Sequence, residues 1–393
     1  LNTVLMAIRL DGCVDHILLL PASLTRAERL DAIAASNIDT VISDQSSLQL
    51  TGKATIANAV WIKQSESCPH NQGPIQKARA TRWAVMTSAT SGTPKRIEHT
   101  SLSLRRSTIL GAGAKAVWGL LYDPCRFAGI QVWLQAILGG GTIAIPCHRK
   151  PLSQQLEFMI QNGVNALSAT PSLWRKLLML PRINQLRVNS ITLGGEVADQ
   201  PILDALAKRF PAGKIRHIYA STEAGVCFSV SDGRAGFPCS FLAKSPDSKI
   251  TLKIHDGRLH VAPAPGPRAN ERTTPWIDTG DVVGLSGNRV HFIGRADGLI
   301  NVGGDKVHPE EIEQALLDHP RVYAARVYGR HNPMMGQLVC AEIVPRPGSD
   351  EASLKDDLRA YCRTTLAPFK CPALMSFVDE LETTASGKLS RNQ

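Results

Sequence analysis

Long hydrophobic runs are missing from this sequence. The longest near its start, Ile17-Leu18-Leu19-Leu20, is too short for the apolar core of a signal peptide and far short of the roughly 20 residues that a membrane-spanning helix needs. Paired cysteines are missing too: the nine Cys are scattered, with no Cys-x-x-Cys pair and no His/Cys cluster at zinc spacing. That argues against a zinc module and a disulfide framework, and reduced thiols in the cytoplasm are the expectation. Aromatic residues make up only 5% of the chain and its basic residues are not clustered, which argues against a dedicated nucleic-acid surface. No Gly-Lys-Ser/Thr run enters a helix, so there is no Walker A loop.

What is present is an ordinary globular composition, 43% hydrophobic and 20% charged over 393 residues, enough for two or three domains. The 44 Lys+Arg against 34 Asp+Glu leave a charge of +10, which favours anionic partners such as nucleotides, CoA or an acidic carrier protein. The chain is organised around Met86-Thr87-Ser88-Ala89-Thr90-Ser91-Gly92-Thr93-Pro94-Lys95, which follows the apolar run Trp83-Ala84-Val85. Four kinds of feature suit such a loop to polyphosphate: hydroxyls at Thr87, Ser88, Thr90, Ser91 and Thr93, backbone N–H groups, close approach at Gly92, and the charge of Lys95. A solvated Ser/Thr turn is the plainer alternative.

In chain order, the pattern predicts a strand over Asp15–Leu20, a helix over Leu24–Ala35 and a strand over Asp39–Ile42; residues 44–80 are weakly patterned. A helix is predicted over Leu102–Leu110, and the Gly111–Ala116 run after it is read as a turn or close helix packing rather than a dinucleotide fingerprint, since no strand precedes it. Alternation then becomes regular: helix from Phe127 to Leu138, strand Thr142–Ile145, helix with Ser153 as N-cap and Gly163 as C-cap, strand Val164–Ser168, helix Pro171–Leu180, strand Ser190–Leu193, helix Pro201–Phe210 and strand Ile215–Tyr219. This is the signature of a largely parallel sheet covered by helices, with ligands at the carboxyl ends of strands. Three loops fall at such ends: Thr87–Lys95, Gly194-Gly195-Glu196, and Ala220-Ser221-Thr222-Glu223. The last hundred residues predict a compact α+β unit with a helix opening at His308-Pro309-Glu310-Glu311, strands over Val322–Tyr328 and Leu338–Val344, and a helix over Leu354–Leu366.

The segments TSATSGTPK, YASTEAG, IDTGD, GRADGLINVGGDKVHPEEIE and SGKLSR, in that order, resemble the core motifs of the adenylate-forming (AMP-binding) superfamily of acyl-CoA synthetases, aryl-acid ligases and adenylation domains. The resemblance implies an α/β chain with a large N-terminal domain of parallel-rich, helix-covered sheets (1–296) and a small mobile α+β C-terminal domain (297–393). It also implies a two-step reaction: ATP and a carboxylate give acyl-AMP and pyrophosphate, and a thiol then displaces AMP.

Carried over to this chain, the resemblance implies that the Thr/Ser loop holds the β- and γ-phosphates. Thr222 would bond the α-phosphate and Glu223 would hold Mg²⁺, against the plainer reading of Glu223 as a surface ion pair. Tyr219 would lie against adenine, unless it is simply a core aromatic, with Gly194-Gly195-Glu196 as the adjoining wall beside Ala220 and Ser221. Asp281 would take both ribose hydroxyls, with Arg295 in support. Asp297 would be the hinge, with a β-turn at Gly298 as the competing reading. Lys388 would be the catalytic lysine, although a C-terminal Lys alone is ordinarily solvated. Phe127, Ala128, Gly129, Ala169 and Thr170 would line the acyl pocket, and Gly303-Gly304 the path of a pantetheine arm.

Three features depart from the pattern. Ala89 stands where many members carry Gly; Arg126 lies near a position often occupied by His, and a solvent-facing side chain is the preferred reading over a pairing with a second carboxylate or a phosphate; fewer than 90 residues precede Thr87, so part of the first subdomain is expected to be reduced. The sequence reading is thus an ATP-, Mg²⁺- and CoA-dependent acid–thiol ligase acting on an aryl or modest aliphatic acid. A phosphopantetheinyl carrier protein is the rival acceptor, homo-oligomerisation is left open, and neither nucleic acid nor a membrane span is expected. A non-catalytic nucleotide-binding protein of the same fold is the alternative of another class.

Overall fold

The structure, a computed structural model, describes residues 4, 7–8, 10–11, 15–21, 24–36, 40–43, 55–58, 81–87, 95–243, 250–263, 276–333, 335–383 and 388–389. The chain opens with β1 (His16–Leu19), α1 (Arg26–Ala35), β2 (Thr40–Ser43), β3 (Thr55–Asn58), β4 (Arg82–Met86), β5 (Arg96–Thr100) and the single turn α2 (Ser101–Leu104). Thr25 and Glu28 start α1 with a capping box. Strands β1, β4 and β5 form a small sheet of their own, parallel between β1 and β4 and antiparallel between β4 and β5. The Thr/Ser loop therefore connects a hairpin, with the Thr87 N–H donating to the Lys95 carbonyl at its neck, and does not leave a strand of the main parallel sheet. The helix predicted over Leu102–Leu110 stops at Leu104 and gives way to turns, leaving Ile109 and Leu110 exposed.

The main sheet follows: β6 (Val117–Leu120), α3 (Phe127–Leu138), β7 (Thr142–Ala144), α4 (Leu152–Gln161), β8 (Ala166–Ala169), α5 (Pro171–Met179), β9 (Ser190–Gly194), α6 (Gln200–Arg209), β10 (Lys214–Ser221) and β11 (Gly225–Val230). Its order is β11-β10-β9-β8-β6-β7, parallel except for β11, which turns back against β10. Helix α4 begins one residue before the predicted cap: Pro151, not Ser153, is its N-cap. Between sheet and helices lies a core including Leu167, Trp174, Ile191 and Leu206, each fully buried. Trp174 donates its indole N–H to the Thr192 carbonyl at 3.0 Å, so its large side chain is buried without an orphaned donor.

After β11 the chain builds an antiparallel sheet that the sequence pattern did not resolve: β12 (Phe237–Pro238), the short α7 (Ser240–Ala243), β13 (Ile250–His255), β14 (Arg258–Pro263), β15 (Ile277–Ser286) and β16 (Arg289–Arg295), in the order β12-β16-β15-β14-β13. Its core continues into the main sheet through stacked rings, Tyr219 lying between Phe228 and Phe292 at 5.2 and 5.1 Å.

From β17 (Ile300–Val302) and β18 (Asp305–Val307) the chain encloses a separate core under β19 (Val322–Asn332), β20 (Gly336–Pro345) and β21 (Leu374–Phe377), covered by α8 (Pro309–Leu317) and α9 (Glu351–Thr365). The fold is the expected large α/β portion followed by a small α+β portion. Gly303 and Gly304 make the tight turn between β17 and β18 with φ of 61° and 101°, a local reason for both glycines. Among the described residues, no helix is long and apolar enough to cross a membrane.

Candidate active site

Elements of both the large and the small portion, down to Lys388 and Leu389, line a cleft of about 2610 Å³, ample for a nucleotide and a second substrate. Its floor is where β10 ends. The strand runs through Ala220 and Ser221, which are not loop residues as the sequence pattern had them; the turn is Thr222–Ala224, closed by the Ala224 N–H bonding to Ser221 Oγ at 3.0 Å. Gly225 resumes the chain at φ 74°. Two side chains outside this strand pair clamp the turn through its carbonyls. His99 Nε2 donates to the Thr222 carbonyl at 2.8 Å, and Arg106 donates to the Ala224 carbonyl at 2.7 Å. Neither was singled out from the sequence, because nothing in the local pattern of β5 or of the turn after α2 signals a contact more than a hundred residues away. With the backbone held from behind, Thr222 and exposed Glu223 line the cleft.

His99 is only 8% exposed and stacks on Phe127 at 5.6 Å. Burial lowers its pKa below the ordinary 6.5, with the bond to Thr222 opposing, so the neutral ring carries its proton on Nε2 toward the carbonyl.

Across the floor, β15 and β16 place Asp281 opposite Arg295. Arg295 donates to Asp281 Oδ1 at 3.2 Å and to Asp297 Oδ1 at 2.9 Å, while the Tyr219 hydroxyl donates to Asp281 Oδ2 at 2.5 Å. Burial raises the pKa of Asp281 while its bonds from Tyr219 and Arg295 pull it back. Burial and the neighbouring Asp281 carboxylate drive the Tyr219 phenol far above its usual range, so it remains a hydrogen donor. Tyr219 is a stacked aromatic that also lines the cleft.

The opposite wall comes from β8, β9 and α5. Thr170 lines the cleft but its hydroxyl caps α5, accepting from the Leu173 N–H at 3.1 Å. Ala169 does not join it: strand alternation turns Ala169 into the core, and Ser168 faces the cleft instead. Phe127 and Ala128 line the cleft, whereas Gly129 packs on the backbone of the preceding loop, where an added Cβ would stand 2.1 Å from the Asp123 carbonyl oxygen. Arg126 is not in solvent. It is half-buried, donates to the Met86 carbonyl at 3.4 Å, and burial lowers its pKa.

Lys388 enters from the small portion. Its Cε lies 3.3 Å from where a Cβ on Gly195 would stand, and burial lowers its pKa, opposed chiefly by Glu196 and more weakly by Asp281. Gly194, Gly195 and Glu196 line the cleft beside it, Gly195 at φ 83°. Thr87 and exposed Lys95 stand at the rim, and the Lys95 N–H donates to Thr87 Oγ1 at 2.9 Å. Ser88, Thr90, Ser91, Gly92 and Thr93 lie outside the described residues. Gly303 and Gly304 do not line the cleft, and Asp297 lies at its edge. Among the described residues no cluster of three or more His, Cys, Asp or Glu could hold a metal ion.

Residues 10–259 match the family described as AMP-binding enzyme, and residues 311–388 match the AMP-binding enzyme C-terminal domain. Among curated proteins the chain is similar to 4-hydroxybutyrate–CoA ligase 1 of Metallosphaera sedula, 28% identical over 340 residues covering 78% of this chain and 60% of that protein. It is also similar to 2-succinylbenzoate–CoA ligase of Bacillus subtilis, 26% identical over 346 residues covering 80% of this chain and 68% of that protein. The chain thus spans 60% and 68% of the length of these two relatives. Among solved structures, o-succinylbenzoate CoA synthetase from Bacillus subtilis, in complex with the acyl-adenylate intermediate OSB-AMP, superposes with a TM-score of 0.70 at 23% identity, covering 100% of this chain and 85% of that one. Amide bond synthetase McbA from Marinactinospora thermotolerans superposes with a TM-score of 0.74 at 20% identity, covering 99% and 85%. With the family match covering more than half of its length and a second match following in order, the chain belongs to the AMP-binding enzyme family.

Proposed function

We propose that this chain is an ATP-dependent acid–thiol ligase that activates a carboxylic acid as acyl-AMP and passes the acyl group to CoA. The observation that carries the reading is the meeting in one cleft of Lys388, the Thr222–Glu223 turn and the Asp281–Arg295 pair, drawn from three separate parts of the chain. The curated relatives named above are CoA ligases, which favours CoA as acceptor over a carrier protein.

In the first step a carboxylate oxygen of the acid attacks the α-phosphorus of ATP, forming a new P–O bond as the bond to pyrophosphate breaks. Little of this requires covalent help from protein; positioning and charge neutralisation dominate. Asp281, fixed by Tyr219 and Arg295, would accept from the ribose hydroxyls, and Tyr219 with Gly194 and Gly195 would border the base. Thr222 would donate to the α-phosphate. Lys388, held between the acid and that phosphate, would balance the charge spreading over both. Glu223, a single exposed carboxylate at the cleft, suits Mg²⁺ bound mainly by phosphate oxygens; when present, the ion supplies neutralisation of phosphate charge.

In the second step the thiol sulfur bonds to the acyl carbon, the bond to AMP oxygen breaks, and the thiol proton leaves to solvent. Lys388 would occupy the space beside that carbonyl, so the small portion would rotate away first, with Asp297 as the pivot. The Gly303–Gly304 turn, exposed and lacking side chains, would then border the thiol arm. Mass spectrometry tests the reading: incubation with ATP, Mg²⁺ and a panel of aryl and short aliphatic acids yields an acyl-adenylate for at least one acid, converted to a thioester on addition of CoA. A panel without any adenylate contradicts it.

A further inference from the structure

Two side chains of the large portion grip the two ends of the segment that carries Lys388. Thr383 and Leu389 pair with each other as an antiparallel bridge, so Lys388 sits directly beside that bridge. On one side of that bridge, Lys176 of α5 donates to Thr383 Oγ1 at 3.2 Å and pairs with Glu380. On the other, the Leu389 N–H donates to Glu196 Oε1 at 2.7 Å. The second oxygen of Glu196 accepts from the Ser172 N–H at 2.9 Å, in the first turn of α5. A carboxylate there is favoured by the helix dipole and makes charge-assisted bonds, so Glu196 is itself fixed before it receives the visiting segment.

We infer that Glu196 is a positioning residue, whose carboxylate seats the Lys388–Leu389 segment in the cleft for adenylation and releases it for thioester formation. This rests on the ligase reading above. The chemistry requires a carboxylate: both of its partners are N–H donors, and each takes one oxygen. A glutamine offers a single oxygen, so one donor must face an NH₂ group. The same carboxylate is also the strongest influence opposing the burial-driven fall in the Lys388 pKa. Its removal moves the deprotonation of Lys388 to lower pH.

Two half-reactions measured separately test this: acid-dependent exchange of pyrophosphate into ATP, and thioester formation from supplied acyl-adenylate and CoA. Glu196→Gln is expected to slow exchange about 10- to 100-fold through kcat, the size of effect expected when a catalytic group is displaced by about 1 Å, while thioester formation stays within about twofold. The alkaline limb of the exchange profile moves to lower pH in Glu196→Gln. In Lys176→Met, which loosens the other end of the loop, exchange falls and that limb moves less. Faster amide hydrogen exchange at Leu389 in Glu196→Gln reads the contact without turnover. Equal loss of both half-reactions with an unmoved limb would make Glu196 merely structural and overturn the inference, as would unchanged protection at Leu389. A wild-type chain that makes no acyl-adenylate would defeat the ligase reading, and Leu389 protection would still decide whether Glu196 holds the segment.

Discussion

Tyr219 donates its hydroxyl hydrogen to Asp281 at 2.5 Å, joining the last strand of the parallel sheet to the antiparallel sheet beside it. The ring is clamped between Phe228 and Phe292, so the hydroxyl has little freedom to leave. Asp281 is thereby held with one oxygen toward Tyr219 and the other toward Arg295.

Tyr219→Phe keeps the stacked ring and removes the hydroxyl, and with it the bond to Asp281 and the contact with Thr279. Loss of a hydrogen bond to a charged group is worth about 1.5–3 kcal/mol, so ATP binding should weaken by roughly 10- to 100-fold where Asp281 contacts the ribose. Titration calorimetry with ATP measures it. Unchanged affinity would separate Asp281 from nucleotide binding.

His99 gives a pH dependence. Its folded pKa is lowered by burial, so between that value and the ordinary 6.5 the unfolded chain binds a proton that the folded chain does not. The stability tied to this residue is therefore complete above pH 6.5 and is lost as the pH falls below it. His99→Leu removes that dependence and orphans the Thr222 carbonyl, at a cost of about 1–3 kcal/mol. Thermal unfolding of both proteins across pH 5–8 should show a smaller acid-side fall for the variant.

Gly129→Ala should destabilise the chain by roughly 1–3 kcal/mol, because the new methyl meets backbone rather than a movable side chain. Denaturant unfolding measures the shift. A variant as stable as the parent would mean that α3 can move away from the Asp123 carbonyl without penalty.

Much of this was legible in the sequence where a residue's role is set by its neighbours in the chain. Strand–helix alternation from Phe127 to Tyr219, the Pro171 start of α5 and the Pro309 start of α8 all follow local rules. Lys388 was legible only through its motif, since nothing local distinguishes it from a surface lysine. Strand register was harder: Ala169 and Thr170 are adjacent, yet one enters the core and the other caps a helix at the cleft. The antiparallel sheet from Phe237 to Arg295 drew no prediction because burial along β15 and β16 does not alternate residue by residue, so no period of two marks them. His99, Arg106 and the carboxylate of Glu196 act through contacts far apart in sequence, which no window of residues contains.

The most direct test of the ligase account is the fate of the two half-reactions in Lys388→Ala. Loss of one preorganised charge contact typically costs about 3–4 kcal/mol of barrier, so acid-dependent pyrophosphate release should fall by on the order of a few hundredfold. Thioester formation from supplied acyl-adenylate and CoA should proceed near the wild-type rate, since on the proposed reading Lys388 leaves the cleft before that step. Pyrophosphate release that is indifferent to Lys388→Ala would contradict the account at its centre.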